Sequence, residues 1–367
     1  MRRRFFWLLL PLLPILLARP AAAVSAEQAL GLQEETFEIQ KLERAAEKAG
    51  GTAEYGATLN EGLARLLKSG RESAGGIIKE AVRSGVLLML IVMFCAFTDA
   101  AYETAGKIGL PIVSLAGTLA IAAVSISDVN AMLGLGRSTM ERITDFSNVL
   151  LPVVAAVTAA TGAVTGAAVR QMAAVLFSDL LINLINGLLI PVLYAYLAVS
   201  VGQSALGNDG LKRIAALLKW LVTTMLTGVM IAFVGYLTVS GVVAGSADAV
   251  AIKTAKFAIS GTIPVVGGIL SDAAETILSS AGVLRGTVGV FGAVTILGIC
   301  LLPLLRIAVH YLMYKLVAAV SGAVGSPRIC ALVEQIGGAF GIMLGMTGAC
   351  GLLMLVALVS SITAVSV

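Results

Sequence analysis

The chain is poor in the residues that carry chemistry. Its 367 residues include one histidine, His310, and four cysteines, Cys95, Cys300, Cys330 and Cys350. A single histidine excludes HExxH and every other multi-histidine metal motif. The cysteines stand far apart, mostly in apolar runs, so they form neither a redox motif nor a disulfide framework and read as small packing residues. Charged residues make up 13% of the chain, against about 25% in an ordinary soluble domain. The formal charge of +4 is small and its basic residues are scattered, which argues against a nucleic-acid surface. Gly134-Leu135-Gly136-Arg137-Ser138-Thr139 has the outline of a phosphate loop. It lacks the lysine, and Ala131 stands where the first glycine belongs, so it is rejected as a nucleotide site. No catalytic residue, cofactor site or metal site is expected, and any energy for transport must come from a partner or an ion gradient.

What the chain does have is apolar sequence. Hydrophobic residues are 58% of it, mean hydropathy is +0.98, and 40 glycines suit close-packed membrane helices. Residues 1–26 read as a signal peptide: Arg2, Arg3 and Arg4, then an apolar core from Phe5 to Ala18, then small residues before Glu27. An uncleaved anchor is the alternative, made less favourable by Pro11 and Pro14. Residues 27–84 form the only sizeable polar region, with ten Glu and eight Lys or Arg. Leu59, Leu63, Leu66 and Leu67 share one helical face there, so an extracytoplasmic region of short amphipathic helices is predicted, packed on the membrane body or on a partner. Residues 85–367 read as a transmembrane domain. Its spans are Gly85–Ala101, Gly109–Ile126, Val149–Val169, Met172–Val201, Trp220–Val243, Thr287–Leu305, Ile307–Val324 and Gly338–Val365, with a polar loop from Ser127 to Asn148. The fold class is therefore an all-α polytopic membrane protein of seven or eight transmembrane helices. Pro303 and Arg306 separate two spans so tightly that a kinked hairpin is the other option. Lys and Arg divide equally between alternate loops, so charge bias does not orient the chain.

Three features stand out within the apolar region. Asp179, Asn183 and Asn186 lie at i, i+4 and i+7 on one helical face. Lipid disfavours such a face, which predicts either a polar path or ion site, or buried hydrogen bonding between helices. Arg306 and His310, four apart, with Lys315 beyond, give a basic face on another span; a lone histidine is more often a packing residue. Gly337, Gly341 and Gly345 form one small-residue ridge, and Gly162 and Gly166 another. The segment from Lys253 to Arg285 breaks the pattern. Pro264, Gly267 and Gly268 interrupt a short apolar run, and Asp272 and Glu275 follow. Two half-helices around a break, re-entrant or interfacial, are predicted; an ordinary loop with a surface helix is the alternative.

TAKF at 254–257, IPVVGG at 263–268 and LSDAAET at 270–276, in this order, resemble the stage III sporulation protein AE family. The likeness continues through Leu301-Leu302-Pro303 and Gly325-Ser326-Pro327, and is good from about Gly85 to the end. It implies a multi-pass protein of the mother-cell membrane around the forespore. The implied role is that of a subunit of a secretion-like channel complex needed for endospore development. Implied partners are other membrane subunits, ring-forming proteins and a separate cytoplasmic ATPase, with a homo-oligomer as a further option. No active site comes with the resemblance. A stand-alone secondary transporter and a purely structural membrane scaffold are the alternatives.

Overall fold

The computed structural model describes residues 39–104, 111–161, 164–262, 267–323 and 327–363, with side chains described over 39–101, 115–161, 165–240, 281–323 and 327–362. The signal-like stretch, Pro264 and Gly162 lie outside the described residues. Within them the chain is almost entirely helical, without strands, the longest non-helical connection being residues 49–58. A short helix, α1 (Ile39–Lys48), precedes α2 (Leu59–Thr104), α3 (Pro111–Ala160), α4 (Val164–Leu184), a π-helical turn (Ile185–Leu189), α5 (Ile190–Leu206), α6 (Asp209–Thr262), α7 (Gly267–Ser321) and α8 (Pro327–Thr363). Counting the α4–π–α5 rod as one, six helices among the described residues are long and apolar enough to cross a membrane by length and composition.

Local sequence explains where the helices begin and end. Thr58 and Glu61 form a reciprocal cap at the start of α2: the Thr58 amide donates to Glu61 Oε2 at 3.0 Å, and the Glu61 amide to Thr58 Oγ1 at 3.4 Å. Pro111 and Pro327 open α3 and α8, where a missing amide proton costs nothing. Gly207 closes α5 in the left-handed region at φ +67°, its amide bonded to the Gln203 carbonyl at 2.8 Å.

Inside the helices the apolar runs and the backbone part company. The expected polar loop from Ser127 to Asn148 is helical, because α3 runs for 50 residues from one apolar run into the next. The two spans expected on either side of Pro303 are one helix, α7, with Pro303 inside it. That fusion, and the shared α3, gather the eight apolar runs into six long helices among the described residues. Pro191 does not break its span either. The π turn just before it absorbs the lost hydrogen bond and the ring's clash with the preceding turn. The segment expected as two half-helices is divided between the end of α6 and the start of α7, helices of 54 and 55 residues. Gly267, Gly268, Asp272 and Glu275 belong to the first turns of α7.

The core lies along α8, which packs on α3 and α7. Close approach there depends on particular glycines. A methyl group at Gly337 would sit 3.3 Å from Tyr314 Cβ and 3.6 Å from the Lys315 backbone nitrogen; at Gly341 it would sit 3.2 Å from the Tyr311 ring. Gly345 faces Leu226 of α6 instead. The ridge Gly337–Gly341–Gly345 therefore packs inside the chain. Gly166 is buried in the first turn of α4. Outside the core, α1 turns Ile39, Leu42 and Ala46 onto the bundle and leaves Glu43, Arg44 and Glu47 exposed.

Candidate functional site: an outward polar face and a buried polar node

Asp179, Asn183 and Asn186 share a face, as their spacing requires, and all three side chains are exposed. They point away from the bundle axis, while Ser178, Leu181 and Ile185 on the opposite face are buried. Asn186 lies in the π turn, and Gly187 beside it has open space where a side chain would be. The neighbouring helix α3 continues this polarity. Asn130, Arg137, Glu141 and Asp145 are exposed along it, again beside an open glycine, Gly134. Tyr194 of α5, beyond the π turn, ties the rod to α3 by donating its hydroxyl to Asn130 Oδ1 at 2.8 Å. The polar face is thus an external wall built by α3 and α4. The described cavities between these helices and α8 hold about 10 Å³ each, enough for a single water at most.

The basic residues of α7 go elsewhere. Arg306 pairs with Glu80 of α2, its Nε donating to Glu80 Oε2 at 3.0 Å and its Nη2 to the same oxygen. His310 is buried, its Nδ1 proton accepted by the Arg306 carbonyl at 2.9 Å and its ring 6.0 Å from that of Phe340. Lys315 reaches Glu334 at 2.9 Å. The structure brings none of these to Asp179. The side chains of the Arg306–Glu80 pair are 40% and 43% exposed, and pairs of that kind contribute about 0–1 kcal/mol. Arg306→Gln is therefore expected to lower thermal stability in detergent only within that range. A larger loss would mean that the pair is shielded from water.

A second polar group, hidden in the expected loop, proves central. Asp128 on α3 accepts a hydrogen bond from Tyr314 of α7 at 2.9 Å and one from Ser84 of α2 at 3.2 Å, tying three helices together. Tyr314 itself is 1% exposed. Nearby, Gln335 donates to Gln203 at 2.7 Å, and Tyr196 donates to the Gln335 carbonyl at 2.9 Å. Sequence reasoning missed Asp128 because it treated Ser127–Asn148 as a loop, where a carboxylate needs no partner. The usable signal was the Asp128–Asn130 pair directly after an apolar run, at the depth where α2 turns from charged to apolar. Among the described residues no group of three His, Cys, Asp or Glu side chains gathers as a metal site.

With this geometry in view, comparison with known proteins decides the family. A sequence model described as stage III sporulation protein AE matches residues 74–365. The chain belongs to the stage III sporulation protein AE family. The match takes in most of α2 and every later helix, but not α1 or the cap at Thr58. The stage III sporulation protein AE of Bacillus subtilis (strain 168) is 23% identical over 268 residues, which is 71% of this chain and 66% of that protein. The chain thus matches just under two thirds of that relative's length. No solved structure matches the chain. The family is one of sporulation proteins, and both Asp128 and the Asp179 face lie within the matched region.

Proposed function

We propose that the chain is a non-enzymatic integral-membrane subunit of the secretion-like channel complex between mother cell and forespore. It resides in the mother-cell membrane and works with ring-forming proteins, other membrane subunits and a separate cytoplasmic ATPase. The family match carries this reading. The outward position of Asp179, Asn183 and Asn186 supports it, because a polar face on the outside of an apolar bundle calls for protein or water beside it. In this role any conduit runs between proteins, and this chain supplies one of its walls.

The test is affinity capture of the full chain from sporulating cells. Co-purification of the ATPase and the ring proteins is expected. Recovery of the chain alone, together with solute transport by the purified protein in liposomes, would overturn the proposal in favour of a secondary transporter.

A further inference from the structure

A cavity of about 220 Å³ opens where the α5–α6 turn meets the first turns of α8. Unlike the two of about 10 Å³ described above, it has room for much more than one water. Its walls are tied together by hydrogen bonds. Gln335 of α8 donates to Gln203 of α5 at 2.7 Å, and the Ser204 hydroxyl of α5 donates to the Arg328 carbonyl of α8 at 2.9 Å. On the third side Asn208 caps α6, its Oδ1 accepting the Gly210 amide at 2.8 Å. Two helix N-termini, those of α6 at Asp209 and α8 at Pro327, border this one space. The dipoles of both helices favour negative charge there.

The side chains agree with the dipoles. The charged residues lining the cavity are Lys212, Arg328 and Asp209. Among the described residues neither cation has its charged head in a hydrogen bond or ion pair, whereas Arg65, Arg306 and Lys315 each hold a glutamate. Packing holds Arg328 in place instead. A side chain added at the left-handed Gly207 would begin 2.6 Å from the guanidinium carbon, so the guanidinium lies on the turn with its donors unused. Lys219, two turns beyond Lys212 on α6, also reaches α8, its Nζ 3.7 Å from where a Cβ at Gly338 would stand. The seam between α6 and α8 thus carries cations in excess of its carboxylates. A guanidinium and an ammonium without acceptors, beside two helix N-termini, are the groups that hold a phosphate.

We infer that this cavity binds the phosphate headgroup of an anionic phospholipid, with Arg328 and Lys212 on the phosphate and the side-chain amides of Gln203 and Asn208 on the headgroup's hydroxyls. The surroundings point to a lipid as the source of the phosphate. Leu206, beside Gly207, is 73% exposed, and on α6 the cations Lys212 and Arg213 give way to exposed Ile214, Leu217 and Trp220, the tryptophan being 62% exposed. Charge passing into exposed apolar surface with a tryptophan is the pattern of a membrane–water interface. A phospholipid would lay its acyl chains on that surface while its phosphate sits in the cavity; a soluble phosphate ester would gain the polar contacts alone. Basic pockets between membrane helices are a known setting for such headgroups. The inference does not rest on the channel reading, since it needs only this chain and a bilayer.

The experiment offers the full chain, purified in maltoside detergent, phosphatidylglycerol, phosphatidylcholine or glycerol 3-phosphate in separate arms. Lipid retained per chain and the thermal unfolding midpoint are measured. Arg328→Gln combined with Lys212→Gln removes both cations from the exposed mouth of the cavity. Lys68→Gln combined with Lys79→Gln makes the same change of charge on α2, outside it. The parent and the α2 pair are expected to retain phosphatidylglycerol saturably and in preference to phosphatidylcholine. The Arg328–Lys212 pair should fold with the parent's lipid-free midpoint and bind phosphatidylglycerol about tenfold more weakly or worse, the loss expected from charged hydrogen bonds. Glycerol 3-phosphate should displace the lipid only at much higher concentration, because it has no chains. Equal retention of the two lipids, or phosphatidylglycerol affinity unchanged in the Arg328–Lys212 pair, would overturn the inference. Glycerol 3-phosphate raising the midpoint as effectively as phosphatidylglycerol would also overturn it, by making the ligand a soluble phosphate ester. Unchanged lipid affinity with loss of captured proteins from cells would give the cavity to an acidic protein segment.

Discussion

Replacing Gly337 by leucine is expected to unfold or severely destabilise the chain, whereas the same change at Gly228 is expected to leave the single chain folded. The difference comes from what each position faces. At Gly337 an added Cβ meets Tyr314 Cβ and the backbone of Tyr314 and Lys315, all within 3.7 Å, whereas at Gly228 it meets nothing within 4 Å. Backbone cannot swing aside as a flexible side-chain tip can, so the larger group must separate α7 from α8 at the centre of the core. Overpacking of this kind costs about 1–3 kcal/mol, and more when the backbone itself must shift. Gly337→Ala should cost less, since the nearest atom is 3.3 Å away and a shift of a few tenths of an ångström relieves it. Thermal unfolding of the detergent-solubilised chain and its yield in membranes measure both. Equal stability of Gly337→Leu and the parent would show that α7 and α8 do not meet along this ridge.

Asp128→Leu is the second substitution expected to have a large effect. It removes the acceptor of the buried Tyr314 hydroxyl and of Ser84 in one step. A buried donor left without a partner costs about 1–3 kcal/mol, and a hydrogen bond to a charged acceptor contributes about 1.5–3 kcal/mol. Asp128→Asn keeps an oxygen acceptor at the same place and should be milder. Tyr314→Phe leaves the carboxylate without its strongest donor. Because the two groups form one interaction, their losses should not add: Asp128→Leu combined with Tyr314→Phe should be less damaging than the sum of the two single changes. The double-mutant cycle in thermal unfolding reads this coupling directly. A coupling near zero would mean that Asp128 is satisfied by water and does not tie the helices together.

These two sites show how differently residues can be read from a sequence. Gly337 belonged to a visible pattern, a glycine every fourth residue in an apolar run, but the pattern could not say whether its partner helix was internal. Asp128 gave only a faint signal, the Asp128–Asn130 pair after an apolar run, since a carboxylate in a polar stretch looks like loop. Arg306 and Asp179 are both ionisable groups in apolar runs. The fold turns them to different sides, and Arg306 finds Glu80, 226 positions earlier in the chain.

The sequence by itself determined that the chain is helical and apolar, where the helices are capped, and which side chains share a face. All of that follows from local rules: helical period, the missing amide of proline, the left-handed freedom of Gly207, and the scarcity of charge. Only the tertiary structure decided which way each face points and how the helices are staggered. Helical period fixes the angle between Asp179 and Asn183, but it leaves free the rotation of α4 in the bundle, which is set when Ser178, Leu181 and Ile185 find the core. Apolar runs likewise give the length of each oily stretch but not its height beside the next. That height is set by contacts such as Cys95 against Gly117 and Phe177 against Phe233.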